Sequence, residues 1–172
     1  MNFLVIVFRL LHIISGVFWV GAALMLTFFI SPTVGATKEA GQGFMRHFMG
    51  QTKFNIVMWA AAITTVVAGA VLYWLDSDGF TSVWMHSGPG IGFGTAAFFA
   101  VLGLIVGVFQ GRNSNAMAKL GGQIQSQGKP PSPEQASRLQ SLGKALAIGG
   151  ILNATFLILA TVGMAIARYL RF

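Results

Sequence analysis

FLVIVFRLLHIISGVFWVGAALMLTFFI, residues 3–30, carries only two ionisable side chains, Arg9 and His12. The run is longer than the ~20 apolar residues a helix needs to cross a bilayer core of roughly 30 Å. No water reaches that core, so every backbone amide must be satisfied within its own segment, and the run has to be helical. Similar apolar runs recur at about 54–75, 90–110 and 145–167. The expected fold is all-α: one integral membrane domain, a bundle of four transmembrane helices, filling residues 1–172.

Composition agrees. Hydrophobic residues make up 55% of the chain and charged residues 9%, whereas soluble domains carry about 25% charged residues. The first run reads as a span and not as a cleavable leader. No basic stretch precedes it, it is much longer than a roughly 7–15-residue leader core, and it shows no small-x-small cleavage site. The formal charge of +7 is the ordinary basic excess of membrane-protein loops, and no helix-turn-helix or stacking surface points to nucleic acid. With no cysteine, the chain forms no disulfide, no thiolate-bound cluster and no covalent haem, so a metal or haem would need His, Met or oxygen ligands.

Ser31-Pro32 is the expected stop of helix one, because proline lacks an amide donor and clashes with the preceding turn. Helix two is apolar from Phe54 to Leu75, and Phe44, Phe48 and Met49 continue its stripe upstream past Arg46, His47 and Lys53. Helix three begins near Gly90, after Gly88-Pro89. Lys38, Arg46 and Lys53 stand in one connection and Arg112, Lys119, Lys129, Arg138 and Lys144 in another. The positive-inside rule puts both in the cytoplasm, and leaves the Asp76–Gly90 loop and both termini outside despite Arg168 and Arg171. Ser132-Pro133-Glu134-Gln135 reads as a capped helix start. Leu139, Leu142 and Leu146 then face Met117, Leu120 and Ile124, so helices three and four should extend into the cytoplasm as a hairpin turning at Gly128-Lys129-Pro130-Pro131. This hairpin is a candidate docking element.

Gly103, Gly107 and Gly111 recur at every fourth position, a smooth stripe suited to close helix packing, to contact with other membrane proteins or to a homo-oligomer. Gly90, Gly92 and Gly94 look like a nucleotide-binding loop but lack its preceding strand and following basic residue. Asn153-Ala154-Thr155 has the form of a glycosylation sequon. Its place within an apolar span suits interhelical hydrogen bonding instead.

His12 is the most informative residue. An ionisable group within a span faces the bundle interior, water or a ligand by default. His12, Gly16 and Trp19 share one helix face, with Arg9 one turn before. Three readings stand side by side. His12 could be an axial ligand of b-type haem, with Gly16 leaving room for the macrocycle and Arg9 meeting a propionate. It could join Met85 and His86 of the outer loop around copper. Or it could hydrogen-bond a neighbouring helix, at Asn153 or Thr155 for example. Arg9 could equally reach the headgroups, His47 reads as an interfacial residue, and Trp84 suits the aromatic belt. Asp76, Asp78, Glu39 and Glu134 all lie in or beside loops, so no intramembrane carboxylate supports acid–base or proton-relay chemistry, and an enzyme is not the leading expectation. No inverted repeat suggests a transporter.

The stretch LHIISGVFWVGAALM, residues 11–25, resembles small bacterial membrane proteins of the copper-resistance D-type domain family. More distantly it is similar to the J-type protoporphyrinogen oxidases, which open with H-x-x-x-x-x-x-W-x-G, here His12, Trp19 and Gly21. The likeness extends loosely through Arg46, the region of Thr64 and Gly69, and Met164 to Tyr169. It implies a bacterial inner-membrane protein whose helix-one histidine holds haem b, or belongs to a copper-handling protein. No second intramembrane His or Lys completes a haem site, so a bis-His haem would recruit His86. The competing expectation is a non-catalytic structural or accessory subunit.

Overall fold

The structure, a computed structural model, describes residues 3–171. Among them there is no strand, and four helical stretches are long and apolar enough to cross a membrane: Phe3–Ala36, Phe54–Asp76, Gly88–Gln127 and Pro133–Tyr169. Helix α1 (Phe3–Met25) packs chiefly on α4 (Phe54–Asp76), and α5 (Gly88–Gln127) packs on α6 (Pro133–Ile166) along its length, with lighter α1–α6 and α4–α5 contacts closing the bundle. Trp19 and Ala23 from α1, Ala61 and Ala62 from α4 and Leu157 from α6 form the core, flanked by Leu104 from α5. Mostly small core residues let the backbones approach closely, the packing that apolar solvent favours. Large side chains point outward instead: Val17 is 70% and Ile148 69% exposed.

Helix one does not stop at Ser31-Pro32. After Met25 the chain widens into a π-turn, Leu26–Ile30, and continues as α2 (Ser31–Ala36). The Ser31 amide bonds to the Leu26 carbonyl, five residues back. This widening relieves the clash that proline makes with an ordinary α-turn, and Pro32 sits in the first turn of α2. The stripe upstream of Phe54 also forms its own helix, α3 (Lys38–Gln51), broken from α4 by an extended Thr52. Lys38 makes the preceding corner with φ 49°. At the same corner the missing side chain of Gly41 leaves room for Val34 and Thr37.

The capping box is formed as expected. The Gln135 amide donates to the Ser132 hydroxyl and the Ser132 amide to the Gln135 side chain. Gly128 closes α5 in the left-handed conformation, φ 59°. With 40 residues in α5, this helix is about 60 Å long, twice a hydrocarbon core, so the α5–α6 hairpin extends well beyond its apolar part. Arg46 of α3 donates to the Gln125 side-chain oxygen at 2.7 Å, tying α3 to the extension.

The glycine stripe of α5 is taken up inside the chain. Gly103 lies against Leu157, Gly107 against Asn153 and Gly111 against Trp59. Asn153, buried, donates to the Gly103 carbonyl at 2.8 Å. Asn153→Ala is expected to lower stability in detergent by about 1 kcal/mol in thermal unfolding. Thr155→Ala should be silent, since Thr155 is exposed and bonds only its own helix at Ile151.

Candidate functional site

The face of α1 that carries His12 is turned onto α4. His12 Nδ1 lies 2.8 Å from the Thr65 carbonyl oxygen. A carbonyl only accepts, so Nδ1 is the donor, and it is in the neutral ring that Nε2 then keeps its lone pair. The ring rests on Gly69, where a Cβ would come within 2.8 Å of its Cε1. Neither Asn153 nor Thr155 is the partner of His12, because both spend their side chains on α5 and α6 carbonyls.

One turn on, the Thr65 hydroxyl lies 2.8 Å from the Ser15 hydroxyl and 2.7 Å from the Ala61 carbonyl, while Ser15 bonds back to Leu11. Gly16 meets the Thr65 methyl, 3.4 Å from where a Cβ would stand. The space beside Gly16 is therefore filled by α4 and is not open to a macrocycle. Trp19 is 5% exposed and belongs to the core.

Among the described residues no group bonds His12 Nε2. The ring is half-buried, and Ser82 Oγ is the only buried, unpartnered side-chain polar atom among the described residues, so Nε2 reaches the surface of the α1–α4 pair. Arg9 is exposed one turn earlier.

The other predicted ligands lie elsewhere. Helix α4 ends seven residues beyond Gly69, about 10 Å along the axis, and the loop follows. Met85 and His86 end a short 3₁₀ turn there, Val83–His86. The backbone of Trp84 and Met85 packs over Gly90, the Trp84 ring stands edge-on to Tyr73 at 5.3 Å, and His86 is exposed. No hydrogen bond joins His12, Met85 and His86, and among the described residues no three His, Cys, Asp or Glu side chains gather as a metal site. His47 is exposed on α3.

Residue-type reasoning missed Thr65 and Ser15, since a backbone carbonyl acceptor leaves no trace in residue identity. Gly69 was the available signal: a glycine within a long apolar helix is a place where a neighbour comes close. No known protein family, no curated protein and no solved structure matches the chain.

Proposed function

We propose that this chain is a multi-pass protein of the bacterial inner membrane that presents His12 Nε2 as an axial ligand to b-type haem on the side of the α1–α4 pair. The observation that carries the reading is the Nδ1–H bond to the Thr65 carbonyl. Ligating histidines almost always donate their other ring N–H to a carbonyl or carboxylate, which fixes the tautomer and strengthens the free nitrogen as a donor. The donor chemistry therefore fits one axial position. His12 would hold the iron, and Arg9 carries the charge to meet a propionate. The group supplies one-electron redox chemistry when bound. The protein's part is to aim Nε2, fix the ring's tautomer and keep the ring from turning. His86 and His47 are the remaining imidazoles. Both are exposed on other elements, His47 on α3 and His86 in the turn after α4.

Purified protein should show a Soret band, and His12→Ala should abolish it while leaving the helical signal of the bundle intact. Metal analysis of the same sample distinguishes iron from copper. A band unchanged in His12→Ala overturns the assignment. A second reading, a structural or accessory subunit, is favoured by how many polar groups of the spans serve helix contacts: His12 to Thr65, Asn153 to Gly103, Gln110 to Leu146 and Thr27 to Gly150. A colourless, metal-free protein that co-purifies with other membrane proteins is its expected result.

A further inference from the structure

We infer that the corner between α2 and α3 is a binding groove for an anionic phospholipid of the inner leaflet. This rests on the four helices spanning a bilayer in the orientation that the basic connections imply. The groove, about 410 Å³, is walled by Phe29, Ile30, Val34, Ala40 and Phe44, with Thr33 and Thr37 between them. Its two hydroxyl-bearing residues have no hydrogen left to donate to an anionic occupant. Thr33 donates to the Phe29 carbonyl and Thr37 to the Thr33 carbonyl, each at 2.7 Å. The wall is therefore apolar in effect and suits a hydrocarbon chain.

The apolar surface continues from Phe44 to Phe48, ring centroids 5.6 Å apart, and on to Phe54 at 4.6 Å, giving a track from the groove to the first residue of α4. Basic side chains stand at both ends of this track. Lys38 forms the corner and Lys53 precedes Phe54; both are exposed and neither side chain has a partner among the described residues. Arg46 keeps its charge while bonded to the neutral Gln125. Glu39 is the one acidic residue between Pro32 and Lys53, so the segment is net basic, with three cations against one anion.

An apolar track with cations at its ends matches a lipid with hydrocarbon tails and a negative headgroup. A second copy of the chain would bring the same basic rim against this one, so self-association here sets like charges together.

The test uses Phe44→Trp as a reporter, read against the four native tryptophans of the parent protein. The full chain is reconstituted in phosphatidylcholine vesicles containing brominated phosphatidylglycerol or brominated phosphatidylcholine as quencher. The added tryptophan should be quenched with about a fivefold higher relative association constant for the anionic lipid. Lys38→Gln combined with Lys53→Gln, at exposed positions, should abolish that preference. Equal quenching by both lipids, or a preference that survives the double lysine change, reduces the groove to ordinary lipid contact and overturns the proposal. A reporter dark to both quenchers while Trp59 and Trp74 respond means that protein covers the groove, which also overturns it. If no tryptophan responds to either lipid, the spanning reading itself fails, a result separate from the other two.

Discussion

Alanine at Gly69 is expected to destabilise the bundle by about 1–3 kcal/mol, the usual cost of an added carbon in a packed contact. Its Cβ would stand 2.8 Å from His12 Cε1 and 3.0 Å from Nδ1. An imidazole is flat and stiff, and this one is pinned by its bond to the Thr65 carbonyl, so it must tilt off α4 and lengthen that bond. The penalty should vanish in a His12→Ala background, because the group that collides is then gone. A double-mutant cycle in thermal unfolding reads the coupling directly. An equal cost in both backgrounds would mean that Gly69 serves some contact other than the ring. In the haem reading the same variant lowers occupancy without removing the ligand, so Gly69→Ala should weaken a Soret band that His12→Ala abolishes.

The second large effect is expected where α5 begins. A Cβ on Gly90 would collide with the Trp84 carbonyl oxygen and crowd the backbone of Met85 at 2.8–2.9 Å. Gly88 is covered in the same way by the Leu170 carbonyl, and a Cβ on Gly92 would stand 2.8 Å from Leu170 Cδ1 and 3.0 Å from Ala167 Cα. The nearest neighbours of Gly88 and Gly90 are main chain and cannot swing aside as a flexible side chain would. Gly90→Ala should therefore cost about 3 kcal/mol or more and show as poor recovery of monodisperse protein and a lowered unfolding midpoint. Gly121→Ala is the matched control. Nothing stands within 4 Å of its added carbon, so the better helix propensity of alanine should leave the protein unchanged or up to about 1 kcal/mol more stable. The Gly90, Gly92 and Gly94 cluster is thus a seat for the Val83–His86 turn, the chain end and Tyr73.

Four helices were legible in the sequence because the apolar runs impose them, and the Ser132 cap was legible because its residue types make the bonds themselves. The continuation past Pro32 was not. A proline is compatible with either a stop or a widened turn, and the choice depends on whether the preceding carbonyls find other donors. That His12 would turn toward a neighbouring helix showed in its polarity alone, but its partner is a carbonyl, a group that every residue carries. The pairing of α1 with α4 then decides which carbonyl it meets. The stripe of Gly103, Gly107 and Gly111 read correctly as a close-packing face. What it packs against is a question of topology, and the chain answers it with its own α6 and α4.

The π-turn at Leu26–Ile30 acts as a phase shifter. Its extra residue advances everything downstream by about 100° around the axis relative to an unbroken α-helix. Val34, downstream of the turn, thereby comes onto the face that α3 covers, where it lines one groove with Phe29, Ile30 and Phe44. Deleting one residue from this turn would restore a regular ladder and shorten the chain by a single step, yet it would swing Val34 about a quarter of a revolution away from Phe44.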